Sequence, residues 1–286
     1  MHRKIIVGYD GSSYSHAALD WALDEAARTA APVHIIYADE WPVLAPAASM
    51  VPSPALRPES YVVDVINGTL EHAVARAKKI QPLVDVTSTV IRAHAAPALI
   101  DLSKQAQLIV LGARGHSAVG GLLGSVSSAV TAHAHCPVVV VRGEAAADAP
   151  VVAGVDGSAM ASPVLAFAAA QAAERKVPLR VIRAWPPVTG LWEETPMVTN
   201  KVTDHEREPF DTLVTVIRDE YPDLVVEAEA TVAHPAAVLT RASTGAQLLV
   251  VGSRGHGAFS GLLLGSVSQH LLRHSACTVA VVHREI

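Results

Sequence analysis

The chain carries the same sequence pattern twice, and this internal repeat restricts its fold more than any other feature. Residues 6–12 read Ile-Val-Gly-Tyr-Asp-Gly-Ser and recur at 152–158 as Val-Ala-Gly-Val-Asp-Gly-Ser, while Leu-Leu-Gly-Ser-Val-Ser at 122–127 recurs unchanged at 263–268. A chain of 286 residues is long for one compact domain but suits two of about 140 residues. We therefore predict a first domain over 1–143, a linker over 144–149 and a second domain over 150–286.

Each half alternates short apolar runs with helical patterns. The runs have strand length and lie near 4–8, 33–38, 84–91, 108–111 and 137–141 in the first half, and near 150–155, 179–184, 224–232, 247–251 and 278–282 in the second. Half of the residues are hydrophobic but only 4% are aromatic, so small aliphatic side chains must form the core, as in parallel sheets covered by helices. We predict an α/β fold of two tandem, doubly wound, five-stranded parallel sheets.

The last apolar run of each half, 137–141 and 278–282, should form a strand at the edge of its sheet. An unprotected edge strand exposes a row of unpaired backbone groups, and proteins cover or pair such edges. We therefore expect pairing between the domains at these strands, either within one chain or between two chains.

Composition excludes several partners. The formal net charge is −5, and no cluster of Lys and Arg provides the basic surface that nucleic-acid binding requires. No apolar stretch reaches the roughly 18 residues of a membrane span. Cys136 and Cys277 occupy equivalent places in the two halves, which favours two buried thiols in a reducing compartment over a disulfide. We predict a cytoplasmic protein.

The most informative segment is Gly252-Ser253-Arg254-Gly255, which is followed by nine residues and then by Gly265-Ser266-Val267-Ser268. It begins where a strand ends and finishes where a helix begins. Glycines at a strand exit allow positive φ and a close approach of backbone to ligand, and a helix N-terminus offers free amides and the positive end of a dipole. The segment therefore predicts an anion site suited to phosphates, to which Arg254 adds a charge.

A second interpretation of these features involves no ligand. The glycines could serve only a tight turn with Ser266 as a helix N-cap, and Asp10 and Asp156 could be turn residues after the first strand of each half. The repetition of both features favours the ligand. Neither the Walker pattern nor the Gly-x-Gly-x-x-Gly fingerprint occurs, so a Walker-type NTPase and a dinucleotide dehydrogenase are disfavoured.

These residues resemble the universal stress proteins, in particular the tandem-domain, ATP-binding type common in actinobacteria. The similarity covers essentially the whole chain, and the second half matches the family pattern Gly-x2-Gly-x9-Gly-Ser/Thr in full. The family is similar to the adenine nucleotide α-hydrolase-like fold, which implies the strand order 3-2-1-4-5.

The resemblance also implies roles for individual residues. Asp10 and Asp156 would contact the nucleoside, with Gly8 and Gly154 beside them, and the backbones of Ala38 and Ala184 would pair with the adenine edge. The ribose and phosphates would be held by the two glycine-rich segments: Gly112, Ala113, Arg114, Gly115, His116, Gly124, Ser125 and Val126 in the first domain, and Gly252, Ser253, Arg254, Gly255, His256, Gly265, Ser266, Val267 and Ser268 in the second.

The first domain departs from the family pattern. Eight residues, 116–123, separate Gly115 from Gly124, whereas nine separate Gly255 from Gly265. One residue can displace the chain by up to about 3.5 Å, which exceeds the length of a hydrogen bond of about 2.9 Å. We expect ATP in both domains, with or without Mg²⁺, and the better site in the second.

The function implied is that of an ATP-binding regulator of stress response or growth, a homodimer without catalytic residues. Two alternatives stay open: a slow ATP hydrolase or ATP-cleaving enzyme of the same fold, and a nucleotide-free dimeric scaffold. Cyclic AMP is an alternative ligand. A metal site at His133, His135 and Cys136 is disfavoured because the second half keeps only His274 and Cys277.

Overall fold

The computed structural model describes residues 4–40, 59–115, 123–143, 146–187, 204–255 and 264–284, so the predicted linker is seen from residue 146 onward. The strands are β1 Lys4–Gly8, β2 Val33–Ala38, β3 Val86–Ile91, β4 Ala106–Gly112, β5 Val138–Val141, β6 Val151–Val155, β7 Leu179–Trp185, β8 Val226–Val232, β9 Leu248–Gly252 and β10 Thr278–Val282. The α-helices are α1 Ser13–Thr29, α2 Glu59–Ile80, α3 Ala95–Leu102, α4 Ser125–His133, α5 Ala161–Arg175, α6 Asp204–Glu220, α7 Pro235–Ala242 and α8 Ser266–His274.

All ten strands belong to one sheet, in the order β3-β2-β1-β4-β5-β10-β9-β6-β7-β8. Within each half the strands are parallel and follow the predicted order 3-2-1-4-5. The halves meet at β5 and β10, which pair antiparallel with Val140 opposite Val279 and Val138 opposite Val281. The expectation of edge pairing is thus met within a single chain.

Side-chain alternation along the strands produces a core on each face of the sheet. In β1, Ile5 and Val7 point to one face and Ile6 to the other, and all three are buried. Helices α1, α2, α5 and α6 cover the first face, and α3, α4, α7 and α8 cover the second. No helix in the described ranges has the length and apolar character needed to cross a membrane.

Two strands begin two residues later than predicted because a tight turn precedes each of them. The amide of Val84 donates to the carbonyl of Gln81 at 3.2 Å, and that of Leu224 to the carbonyl of Tyr221 at 3.0 Å. Both turns contain proline, at 82 and 222, which fixes φ and favours a turn at this position. The apolar residues ahead of β3 and β8 therefore belong to the turns.

The two cysteines are not joined in a disulfide and are buried in equivalent positions, as predicted. Burial raises the pKa of Cys277 to about 12. A thiol with such a pKa stays protonated at neutral pH, and the reactive species is the thiolate. Cys277 is therefore a core residue and not a nucleophile.

A buried ion pair joins the domains on the face covered by α1 and α5. The Glu25 carboxylate, whose residue is 2% exposed, accepts from Arg175 of the second domain at 3.0 Å and from Gln171 at 2.5 Å. Arg28 approaches the same carboxylate at 3.1 Å from the following turn of the helix. Because a buried carboxylate is costly unless it is paired, these donors fix α1 against α5.

We predict that Glu25→Ala lowers the free energy of unfolding by about 3 kcal/mol, since it leaves the buried Arg175 without its partner. Asp20→Ala on the same helix is the matched control. It removes a half-exposed pair with Arg76, 2.6 Å long, and should cost less than about 1 kcal/mol. Urea denaturation of both variants measures the difference. Equal losses would contradict a stabilising role for the interdomain pair.

Candidate nucleotide site

Each half has a crevice at the carboxyl ends of its first and fourth strands. The strand order reverses at β1, because β2 lies on one side of it and β4 on the other. It reverses in the same way at β6, which lies between β7 and β9. Ligands of open α/β sheets bind at such points. We call the crevice of β1 and β4 the first site and that of β6 and β9 the second site.

Asp10 and Asp156 form turns and also meet the glycine-rich segments. Oδ1 of Asp10 accepts from the amide of Ser12 at 2.9 Å, and Oδ1 of Asp156 accepts from that of Ser158 at the same distance. The other oxygen lies against a glycine, because a Cβ at Gly115 or Gly255 would stand 2.5 Å from Oδ2 of Asp10 or Asp156. Each carboxylate therefore joins the exit of the first strand to the loop after the fourth.

The loop of the second site closes on itself through two hydrogen bonds. The amide of Gly265 donates to the carbonyl of Ser253 at 2.8 Å, and Ser268 Oγ donates to the carbonyl of Gly252 at 2.5 Å. Ser268 is 5% exposed. Its hydroxyl therefore holds the start of α8 on the end of β9.

The first site closes in the same way despite its shorter loop. The amide of Gly124 donates to the carbonyl of Ala113 at 2.9 Å, and Ser127 Oγ donates to the carbonyl of Gly112 at 2.8 Å. The missing residue thus leaves the two ends of the loop in the same arrangement. His116 and His256, with the middle of both loops, lie outside the described residues.

The loops end at helix N-termini that carry no side-chain cap. The N-caps are Gly124 and Gly265, with extended φ, ψ of −62°, 149° and −65°, 149°. Ser125 and Ser266 are therefore the first helical residues and not caps, which corrects the second interpretation of the sequence. The first amides of a helix have no acceptor within the helix, and an anion in the crevice can satisfy those of α4 and α8.

The first glycine of each loop, Gly112 or Gly252, is required by close packing and not by positive φ. A Cβ at Gly112 would stand 2.7 Å from the backbone of Tyr14, and one at Gly252 would stand 3.0 Å from Cβ of Met160. Among the described glycines only Gly11 and Gly143 have positive φ. The expectation of positive φ in the loops is therefore wrong for their described part. The close approach seen here is between protein segments, and the approach of backbone to a ligand stays a prediction.

Close packing against leucine side chains also explains the glycines at positions 8 and 154. A Cβ at Gly8 would stand 2.4 Å from Leu111 Cδ2 and 3.2 Å from Leu99 of α3, and one at Gly154 would stand 2.6 Å from Leu239 of α7. These glycines let the helices of the second face lie close to the first strand of each half.

The backbone of Ala38 faces the first site. The carbonyl of Ile36 accepts from Tyr9, on the β1 side, whereas the amide of Asp39 donates to Ile91, on the β3 side. Because successive residues of a strand direct their backbone groups to opposite neighbours, Ala38 faces the same side as Ile36, beyond the end of β1. In the second domain the carbonyl of Trp185 accepts from the amide of Ala233, directly after β8, at 2.8 Å. Ala184, the preceding residue, therefore faces the opposite side, beyond the end of β6.

The exits of the second strands differ in charge between the two sites, a difference that the sequence analysis missed. At the second site the Arg183 guanidinium lies 4.5 Å from the ring centroid of Trp185. Burial lowers the pKa of Arg183, and the charge of Asp156 acts in the opposite direction. At the corresponding positions the first site has Tyr37, whose pKa is raised by burial and then by the charges of Asp10 and Asp39.

The loop arginine of the first site contacts an aromatic ring of α1. Arg114 Nη1 donates to the Tyr14 hydroxyl at 3.3 Å, and the guanidinium lies 5.7 Å from the ring centroid. The position equivalent to Tyr14 in the second domain is Met160, which cannot make this hydrogen bond. Arg114 and Arg254 therefore have different surroundings at the two sites.

The histidines considered as metal ligands have other partners. His133 Nδ1 donates to the carbonyl of Ala129 in its own helix at 2.8 Å, and the His274 ring lies 4.4 Å from that of His270. Across the described ranges, no group of three or more His, Cys, Asp or Glu side chains is arranged to hold a metal ion.

Comparisons with known proteins agree with this geometry. The model of the Universal stress protein family matches residues 1–142 and 149–283. A universal stress protein of Mycobacterium tuberculosis is 33% identical over 299 residues, which cover 98% of this chain and 97% of the relative.

Among solved structures, a universal stress protein from Archaeoglobus fulgidus matches with a TM-score of 0.71 at 19% identity, covering 99% of this chain and 96% of that one. A universal stress protein solved in complex with cAMP is 28% identical, with a TM-score of 0.37, over 49% of this chain and 97% of its own. On the family model and the near full-length mycobacterial relative, the chain belongs to the universal stress protein family.

Proposed function

We propose that this chain binds an adenine nucleotide, ATP, in each domain and acts as a nucleotide-dependent regulator of stress response or growth. One observation carries the proposal. Two uncapped helix N-termini, those of α4 and α8, are each connected through a glycine loop to a carboxylate at the exit of the first strand. The first feature suits phosphates and the second suits the ribose hydroxyls of a nucleoside.

In this proposal the backbone binds most of the ligand. The amides of Ser125 and Val126, or of Ser266 and Val267, donate to the phosphates. The strand exit at Ala38 or Ala184 presents one donor and one acceptor to the adenine edge. Arg254 adds a charge at the second site, and Mg²⁺ would be held by the phosphates, since the described residues contain no carboxylate cluster for it.

The proposal favours a binding protein over an efficient enzyme. Oδ1 of Asp10 and of Asp156 is engaged by the turn that follows it, and the Ser127 and Ser268 hydroxyls donate to loop carbonyls. A nucleophile needs an adjacent base to activate it, and these groups are committed to the loop. Slow ATP hydrolysis and a nucleotide-free scaffold are the competing functions.

The proposal also includes a cytoplasmic location and a homodimer. Two buried cysteines that form no disulfide suit a reducing compartment. A homodimer would have to use surfaces other than β5 and β10, because these strands already pair with each other.

We predict that the purified protein binds ATP with two sites per chain, because each domain has a complete set of backbone donors at its crevice. Mass spectrometry of ligand released by denaturation identifies a retained nucleotide. Calorimetric titration with ATP, AMP and cyclic AMP then gives the number of sites and the preferred ligand. Absence of binding by all three at millimolar concentration would favour the scaffold.

We predict that Gly265→Asp abolishes binding at the second site without destabilising the fold. A Cβ at Gly265 would have its nearest neighbour at 3.5 Å, and Asp is a favoured N-cap, but its charge repels phosphate. Gly265→Asn is the control, since it has the same size and is neutral. Binding by Gly265→Asp that equals that of the Asn variant would contradict a phosphate at this position, and thermal unfolding of both checks the fold.

We predict that release of inorganic phosphate from ATP stays at or below about one turnover per minute at saturating ATP, given a typical enzyme rate of about 10 per second. A coupled phosphate assay of the wild type and Gly265→Asp measures it. Turnover at ordinary enzymatic rates that disappears in the variant would favour the ATP-cleaving enzyme.

A further inference from the structure

The residue that follows β5 reaches from the first domain into the second. Arg142 Nη1 donates to the carbonyl of Ser275 at 3.2 Å, and Nη2 donates to the carbonyl of Leu272. Leu272 lies in the last turn of α8, and Ser275 is its C-cap. Arg142 therefore binds the C-terminus of the helix whose N-terminus faces the second site.

The residue that follows β10 makes the reciprocal contact. His283 Nε2 donates to the carbonyl of Thr131 at 2.8 Å, in the last turn of α4. Arg142 and His283 occupy equivalent positions after the two strands that pair at the domain boundary. Each glycine-loop helix is thus held at its far end by a residue of the opposite domain.

These contacts act at the part of a helix that needs an external donor. The last carbonyls of a helix have no partner within it, and a cation there complements the negative end of the dipole. Each crossing contact has a cost, because Arg142 Nε and His283 Nδ1 are buried without a hydrogen-bond partner among the described residues. Because burying these atoms is costly, the two contacts favour a specific role for Arg142 and His283 over an incidental one.

We propose that Arg142 and His283 are positioning residues for the phosphate-binding helix of the opposite domain. Each nucleotide site then depends on a residue that the other domain contributes at the far end of that helix. This inference rests on the proposed function. It predicts a crossed pattern: a change at Arg142, in the first domain, weakens the second site, and a change at His283, in the second domain, weakens the first.

The crossing residues also lie near the loop arginine of their own domain. Burial lowers the pKa of Arg142, and the charge of Arg114 lowers it further. For His283, burial again dominates, while His135 and Arg254 add to the lowering and the backbone carbonyls of Thr131 and Cys136 oppose it.

The test uses proteins with one working site. Gly124→Asp leaves only the second site and Gly265→Asp only the first, and ATP affinity is measured by calorimetry in each. Arg142→Met should weaken the second site about three- to tenfold and change the first less than about twofold. Arg142→Lys should recover most of this loss, because it restores a cationic donor. His283→Leu, which removes the side-chain donor, should weaken the first site alone.

Two controls separate positioning from general damage. Arg284→Met changes an exposed arginine beside His283, and His133→Gln changes an exposed histidine in the last turn of α4. Both should leave each affinity within about twofold of the parent. The proposal would be overturned if a variant weakened ATP binding in its own domain, weakened it equally at both sites, or weakened it at neither site.

Amide hydrogen exchange of the ligand-free chain distinguishes failure of this inference from failure of the proposed function. If neither single-site protein binds ATP, the proposed function fails. The exchange rates of α4 and α8 still show whether the crossing contacts stabilise these helices. Arg142→Met should then accelerate exchange in α8 and not in α4, with the reverse for His283→Leu. Unchanged exchange in both helices would overturn the crossed contacts as supports.

Discussion

Backbone pairing between β5 and β10 is the interaction on which the rest of the structure depends. Without it the chain would be two separate sheets, each with an exposed edge rich in valine. With it, the core residues of both halves form continuous layers on each face of one sheet. The same pairing brings Glu25 to Arg175 on one face and carries Arg142 and His283 to the opposite domain's helices on the other. The ion pair and the crossing contacts are consequences of one strand register.

The two crevices share their framework and differ in their lining. The framework consists of backbone groups, a turn carboxylate and glycines that permit close packing, and the lengths of its hydrogen bonds agree between the two halves to within a few tenths of an ångström. The two crevices differ in the side chains at the exit of the second strand, which are Arg183 and Trp185 in the second crevice and Tyr37 and Asp39 in the first. Duplicated domains can in this way keep one binding mode while changing affinity or preference.

The repeat and the apolar runs were enough to predict every described strand, because these features are local and occur twice. The order of the strands within each half followed from the family resemblance. The glycine-loop ends could also be predicted, since their residue types are diagnostic. Glu25, Arg142 and His283 could not be found in this way: each is a single polar residue whose partner lies more than a hundred positions away, and nothing local marks it. The glycine conformations were misjudged because a residue type does not distinguish close packing from positive φ.

The boundary pairing also fixes an order of events during synthesis. β5 ends at Val141, but its partner β10 begins only at Thr278. Until β10 has been made, the first domain presents Val138–Val141 as an open edge, and such edges template pairing with other chains. Nascent chains on neighbouring ribosomes could therefore pair first domain with first domain. β10 competes with such pairing from within the same chain, and it can do so only after most of the second domain has been synthesised.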